Sequence, residues 1–81
     1  MKSRKVIISF NDVDSTLIGK IVQTATEYPG TVYLTNGTKK INAKSIMGMM
    51  SLVTEDGKEI DLTVDGPDED EALDRLSAFF K

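Results

Sequence analysis

The stretch Glu59-Ile60-Asp61-Leu62-Thr63-Val64-Asp65 alternates polar and apolar side chains without interruption. Successive side chains of a β-strand point to opposite faces, so this period of two predicts a strand with one buried face. The buried face would carry Ile60, Leu62 and Val64. A sheet with a single apolar face needs a second layer to cover it, and the segment that follows offers one.

Gly66-Pro67-Asp68 predicts the opening of a helix directly after this strand. Pro67 and the acidic run at 68–71 suit the first turn of a helix, where the missing N–H costs nothing and negative charge meets the positive end of the dipole. The predicted buried stripe of this helix consists of Ala72, Leu73, Leu76 and one of Phe79 or Phe80.

The rest of the chain continues the pattern towards the N-terminus. Residues 5–10 alternate and predict a first strand, and residues 16–28 carry apolar side chains at helical spacing until Pro29-Gly30 ends the helix. Asn36-Gly37 is a strong hairpin signal. It would join a second strand around Val32 and Leu34 to a third around Ile41 and Ala43.

The predicted order is β-α-β-β-α-β-α once a short helix at 45–52 is included. Four strands with one apolar face each, together with helices to cover that face, predict a two-layer α+β fold. We expect residues 1–81 to form a single domain, since the chain has only 81 residues. The strand order does not follow from the residues alone.

The composition excludes several classes of function. The chain has no cysteine and no histidine, so it can form no disulfide, and a zinc site would require carboxylates alone. It has no apolar run of the roughly 20 residues that span a bilayer and no signal-peptide core. We therefore expect a cytoplasmic protein without metal or cofactor.

The net charge of −3 conceals an asymmetry. Residues 1–54 hold seven Lys or Arg against three Asp or Glu, whereas residues 55–81 hold three against ten. One interpretation is a solvated acidic C-terminal helix; the other is that Lys39, Lys40 and Lys44 present a basic docking surface to an acidic partner. The low isoelectric point argues against nucleic acid as that partner.

The segment Asn42–Leu52 combines a candidate helix cap with a cluster of methionines. Ser45 precedes a short apolar run, which is the position from which a serine side chain accepts the free N–H groups of a first helical turn. Met47, Met49 and Met50 follow it. Ser45 can be a cap and nothing more, or a phosphorylation site at the start of a helix.

Lys44-Ser45-Ile46-Met47-Gly48, followed by Met50-Ser51-Leu52, resembles the regulatory-serine region of the HPr/Crh family of the bacterial phosphotransferase system. The resemblance extends over nearly the whole chain. It implies an open-faced β-sandwich, in which a four-stranded antiparallel sheet is covered on one side by three helices.

The resemblance also implies a role for this segment. In the family, this serine is phosphorylated by the ATP-dependent HPr kinase/phosphorylase, and the phosphorylated form binds a catabolite-control transcription regulator. By position, Ser45 would be the phosphoacceptor. Ile46, Met47 and Met50 would form the exposed partner surface, while Met49 and Leu52 would face the core. Methionine suits a surface shared by several partners because its side chain repacks easily.

The family's phosphoryl-carrying histidine has no counterpart here. The alignment implied by the resemblance places Asp14 at the histidine position, Thr16 at that of the family's arginine and Leu17 at that of its proline. A carboxylate can form an acyl phosphate, but this chemistry usually needs a metal and a cation. Asp14 or Ser15 as a plain helix cap is the simpler interpretation.

Three hypotheses result. The first is a regulatory protein, not an enzyme, that is phosphorylated on Ser45. The second is a phosphocarrier that uses Asp14, and the third is a binding module that needs no phosphorylation. A paralogue without a present role also remains open. We expect no direct contact with nucleic acid or membrane. The resemblance implies a monomer or weak homodimer, since Crh-like members of the family can pair through their first strand, which an alternating edge strand permits.

Overall fold

The computed structural model describes residues 1–7, 15–51 and 58–80, with the side chains of Ser15 and Thr16 left aside. The described residues contain four strands and three helices in the predicted order. They are β1 (Lys2–Ile7), α1 (Ser15–Glu27), β2 (Thr31–Asn36), β3 (Lys39–Asn42), α2 (Ile46–Met50), β4 (Glu59–Asp65) and α3 (Glu69–Ser77).

The strands form one antiparallel sheet in the order β1-β4-β2-β3. Val6 pairs with Ile60, and Leu34 pairs with both Leu62 and Ile41, so the apolar positions of all four strands fall on the same face. The three helices cover this face, and the predicted fold is therefore confirmed. Strand β4, where the alternation was clearest, has the predicted bounds.

The core lies between this sheet face and the helices. Ile18, Ile21 and Ala25 of α1 are buried, as are Leu73 and Leu76 of α3 and Met49 of α2. They pack against the inward side chains of the sheet, which are Val6, Val32, Leu34, Ile41, Ile60, Leu62 and Val64. The opposite face of the sheet is polar, with Tyr33 between Asn42 and Thr63 in the register.

The hairpin between β2 and β3 is confirmed, although its turn lies one residue later than the pattern suggested. Asn36 pairs with Lys39, so the turn consists of Gly37 and Thr38. Gly37 has a φ of +60°, which glycine adopts without steric cost.

Helix α3 begins later than predicted. It starts at Glu69, and the preceding Asp68 has a φ of 50° in the left-handed region and makes no side-chain capping hydrogen bond. Pro67 and Asp68 therefore lie before the first turn, because Asp68 leaves the helical dihedral range. The acidic residues inside that turn are Glu69, Asp70 and Glu71. Phe80 is the buried aromatic residue, while Phe79 is partly buried.

Strand β1 also differs from the predicted segment. It begins at Lys2, since Lys2 pairs with Val64 at the far end of β4. Residues 8–10 of the predicted strand lie outside the described residues, as do residues 11–14 and 52–57. Among the helices that the structure describes, none has the length and hydrophobicity needed to cross a membrane.

Candidate functional site

Ser45 lies where the chain turns from β3 into α2. The backbone N–H of Ser45 donates to the carbonyl of Asn42 over 3.0 Å, and the N–H of Lys44 donates to the Asn42 side-chain oxygen over 2.9 Å. An asparagine that bonds the backbone two residues ahead stabilises a tight turn. Asn42 therefore fixes the direction in which the chain enters α2.

The predicted capping role of Ser45 is confirmed. Its Oγ accepts a hydrogen bond from the N–H of Gly48 over 3.2 Å, and its backbone is extended, as expected for an N-cap. The N–H of Met49 donates to the Ser45 carbonyl over 2.9 Å. The bond from Gly48 thus positions the Ser45 hydroxyl, and Ser45 is also exposed to solvent.

Helix α2 presents three apolar side chains to solvent. Ile46 is 54% exposed, Met47 83% and Met50 45%, whereas Met49 on the inner side of the same helix is 0% exposed. We call Ile46, Met47 and Met50 the apolar patch. The predicted division between outward and inward methionines is thus what the structure shows. Leu52, which we expected to face the core, lies outside the described residues.

The three lysines of the predicted basic surface differ in their surroundings. Lys39 and Lys40 are exposed on β3, and the Lys40 ammonium lies 4.1 Å from the centre of the Tyr33 ring, within range of a cation–π contact. The Lys44 ammonium instead donates a hydrogen bond of 2.8 Å to the backbone carbonyl of Tyr28. It therefore faces the end of α1.

The position aligned with the family's histidine is not described. Asp14 lies outside the described residues, and Thr16 is described only as part of the backbone of α1. Over residues 1–7, 15–51 and 58–80, no cluster of Asp or Glu side chains has the arrangement of a metal site.

A cleft of about 250 Å³ lies between the end of α1 and the start of α3, away from Ser45. Tyr28 contributes to its lining, yet the Tyr28 hydroxyl is buried and finds no hydrogen-bond partner among the described residues. A Cβ on Gly66 would come 2.8 Å from this hydroxyl oxygen, so the ring lies directly against the backbone. Burial raises the pKa of Tyr28, with a smaller contribution from Glu69.

Two further shifts in pKa occur where the start of the chain meets α3. The Met1 ammonium donates a 2.9 Å hydrogen bond to Glu69, which lowers the pKa of Glu69 and raises that of the Met1 amine. Arg4 pairs with Asp74 at 2.7 Å, and Lys2 with Asp70 at 3.2 Å. Much of the acidic charge of α3 thus meets cations of β1.

The interactions of Lys44 and Tyr28 had no signal in the sequence. Both depend on how the end of α1 approaches the β3–α2 connection, which is a relation between segments 16 residues apart. The N-cap did have a signal, because it depends on residues within one short segment, and the apolar patch was expected from the resemblance to the family.

Comparison with known proteins agrees with this geometry. The sequence profile described as the PTS HPr component phosphorylation site matches residues 2–81. The HPr-like protein Crh of Bacillus subtilis is 48% identical over 58 residues, which is 72% of this chain and 68% of that protein.

Two solved structures are similar as well. The phosphocarrier protein HPr of Bacillus anthracis superimposes with a TM-score of 0.85 at 33% identity, covering 99% of this chain and 96% of that one. The structure of Crh of Bacillus subtilis, a domain-swapped dimer, superimposes with a TM-score of 0.70 at 40% identity. The match covers 83% of this chain and 77% of that one. The chain belongs to the HPr family of the bacterial phosphotransferase system.

Proposed function

We propose that this protein is a Crh-like regulator in carbon catabolite control, phosphorylated on Ser45 by an ATP-dependent HPr kinase/phosphorylase. The observation that carries the proposal is the joint exposure of Ser45 and of the apolar patch that follows it on α2. The similarity to Crh proteins supports it.

The phosphoryl transfer follows from the position of the hydroxyl. The Ser45 Oγ attacks the γ-phosphorus of ATP, the bond to the bridging oxygen breaks, and ADP leaves while the kinase takes the hydroxyl proton. The product carries nearly two negative charges and three strong acceptor oxygens. The N–H of Gly48, which already donates to Oγ, remains beside them as a donor.

The added charge would alter what a partner meets at this surface. Before modification, Ser45 is followed by the exposed apolar side chains of Ile46 and Met47, and the ammonium of Lys44 is bonded to the Tyr28 carbonyl. A phosphate there would place anionic charge next to the exposed Met47. A transcription regulator with an arginine beside an apolar pocket would match both features.

We also propose that the protein does not act as a phosphohistidine carrier, since the 81 residues include no histidine. A phosphohistidine requires an imidazole nitrogen as nucleophile. The regulatory role needs only the serine. It would be exercised in the cytoplasm, where the kinase has access to ATP.

Intact mass after incubation with ATP, Mg²⁺ and an HPr kinase/phosphorylase tests the proposal. Wild type should gain the mass of one phosphate, and Ser45→Ala should gain none. Ser45→Asn is the matched control, because asparagine caps a helix as well as serine does but has no hydroxyl. No gain by wild type, or an equal gain by Ser45→Asn, would contradict the proposal.

A second candidate is a binding module that needs no phosphorylation, which the 83% exposure of Met47 favours. In that case Met47→Asp should abolish capture of the catabolite-control regulator, while Ser45→Ala should leave it unchanged. The opposite result, with binding dependent on phosphorylated Ser45, would reject this candidate.

We further propose that the protein is a monomer or weak homodimer. Strand β1 lies at an edge of the sheet, and its charged residues Lys2, Arg4 and Lys5 discourage tight pairing with another strand. Sedimentation at increasing protein concentration should show mostly monomer with a small dimer fraction. A stable dimer at micromolar concentration would contradict this.

A further inference from the structure

The exposed thioethers on α2 suggest a second kind of modification beside Ser45. The chain has four methionines, and they differ widely in exposure. Met47 is 83% exposed and Met50 is 45% exposed, whereas Met49, which lies between them in the sequence, is fully buried. Oxidation of methionine requires access of the oxidant to sulfur, so neighbouring residues of one short helix should differ strongly in reactivity.

We propose that Met47 and Met50 form a peroxide-sensitive site, and that their conversion to sulfoxides weakens binding at the apolar patch. The binding part of this inference rests on the proposed function. The thioether sulfur attacks one oxygen of hydrogen peroxide, an S–O bond forms and the O–O bond breaks. The departing hydroxide takes the proton from the new S–OH group, which leaves the sulfoxide and one water. Sulfur loses two electrons, and the peroxide is reduced to water.

The consequence for the patch follows from the polarity of the product. A sulfoxide is polar and accepts hydrogen bonds, whereas the thioether is apolar and deformable. Two of the three side chains of the patch would change in this way, and only Ile46 would remain apolar. The core would be unaffected, because the one methionine that packs into it is Met49.

Helix α2 should survive the modification. Its start is held by the bond from the Gly48 N–H to Ser45 Oγ, and its end by the bond of 2.6 Å from the Ser51 hydroxyl to the Gly48 carbonyl. Neither bond involves a methionine side chain. Oxidation would thus change the chemistry of the patch without removing the scaffold that presents it.

Peptide mapping by mass spectrometry after brief treatment with hydrogen peroxide tests the site itself. Met47 should be oxidised at least about tenfold faster than Met49, with Met50 between them, and Met49 should become equally reactive in urea. Equal rates for Met47 and Met49 in the folded protein would overturn the inference. This readout does not depend on any partner.

Two further measurements test the effect on binding. The oxidised protein should be retained more weakly on a hydrophobic-interaction column, and an HPr kinase/phosphorylase should phosphorylate it at least about fivefold more slowly than the reduced protein. The Met47→Leu/Met50→Leu variant keeps an apolar patch without thioethers, so peroxide should change neither property. Unchanged retention and phosphorylation of the oxidised wild type would overturn the inference.

Failure of the proposed function would look different. If the kinase modifies neither the reduced nor the oxidised protein, the proposed phosphorylation of Ser45 is refuted. Peptide mapping and column retention then test the proposed oxidation site without the kinase. Preferential oxidation of Met47 together with weaker retention supports the site, and the absence of either result refutes it.

Discussion

The Nζ atom of Lys44 lies 2.8 Å from the backbone carbonyl oxygen of Tyr28 and donates a hydrogen bond to it. Helix α1 ends at Glu27, and the last carbonyls of a helix have no partner within the helix. A lysine that bonds such a carbonyl both satisfies it and places positive charge at the negative end of the dipole. This bond ties the end of α1 to the residue that precedes Ser45.

We predict that Lys44→Met destabilises the protein by about 1–2 kcal/mol, since a partly buried carbonyl loses a charged donor. The measurement is the free energy of unfolding in urea. Lys20→Met is the control, because Lys20 is an exposed residue of α1 and its substitution removes the same charge. Equal losses for the two variants would show that the bond to Tyr28 contributes nothing specific.

Gly30 and Gly19 should respond in opposite ways to an added methyl group. A Cβ on Gly30 would meet the carbonyl of Asp65 and approach the Tyr28 ring to 2.6 Å, whereas a Cβ on Gly19 meets nothing within 4 Å. We predict that Gly30→Ala lowers the free energy of unfolding by about 2 kcal/mol or more. Gly19→Ala, within α1, should raise it by about 0.5–1 kcal/mol. Thermal unfolding of both variants measures these effects, and stabilisation by Gly30→Ala would contradict the packing described here.

Met49 and Met47 provide a similar contrast between core and surface. Met49 is fully buried, so Met49→Ala leaves a cavity, and we predict a loss of about 2–4 kcal/mol. Met47→Ala should change stability by less than about 0.5 kcal/mol. Urea unfolding of the two variants measures the difference. A large loss for Met47→Ala would mean that the apolar patch takes part in the core.

The pair formed by Met1 and Glu69 should make the free energy of unfolding depend on pH in both the acidic and the alkaline range. The hydrogen bond from the Met1 ammonium lowers the pKa of Glu69 from its ordinary value of 4.5, so its contribution is present above that value and is lost as the pH falls through the folded-state pKa. The bond to Glu69 raises the pKa of the Met1 amine from 8.0, so this contribution is present below pH 8.0 and is lost as the pH rises through the folded-state pKa.

Glu69→Gln should therefore reduce stability between these limits and have less effect outside them. The urea midpoint is measured from about pH 3 to about pH 9 for wild type and variant. Glu71→Gln removes the same charge from the same turn of α3 and is the control. An identical pH profile for wild type and Glu69→Gln would show that the bond to Met1 is absent in solution.

The parts of the fold that the sequence predicted well depend on short-range patterns. Strand β4 alternates over its full length, and α1 carries its apolar residues at a helical period, so both were located to within about two residues. The strand order depends on pairing between distant segments. The position of β4 between β1 and β2 is therefore known from the structure and was not among the predictions.

Two errors arose where the fold overrode a local preference, each for its own physical reason. The start of β1 at Lys2 was missed because Lys2 and Arg4 lie on the helix-facing side of an edge strand, where their ammonium and guanidinium groups reach the carboxylates of α3. The start of α3 was placed too early because Pro67 fits a first turn in isolation. In both cases a tertiary contact or an unusual backbone angle overrode the local preference.

Much of the site was predictable for the same reason as β4. Ser45 caps a helix within a single turn, so the local sequence predicted the cap. The resemblance to the family predicted that Met49 faces inward and its neighbours outward. The orientation of Lys44 was not predictable, since it depends on where α1 ends in space.

The ion pairs between β1 and α3 and the apolar patch on α2 should respond differently to added salt. The pairs between β1 and α3 lie at the surface, where counter-ions weaken charge–charge attraction, so added salt should loosen this seam. If a partner binds the apolar patch on α2, as we propose, the exclusion of water would hold it there, and that attraction does not decline with ionic strength. For the unphosphorylated protein, binding at the proposed recognition surface should therefore depend little on ionic strength, although the formal charge of the chain is negative.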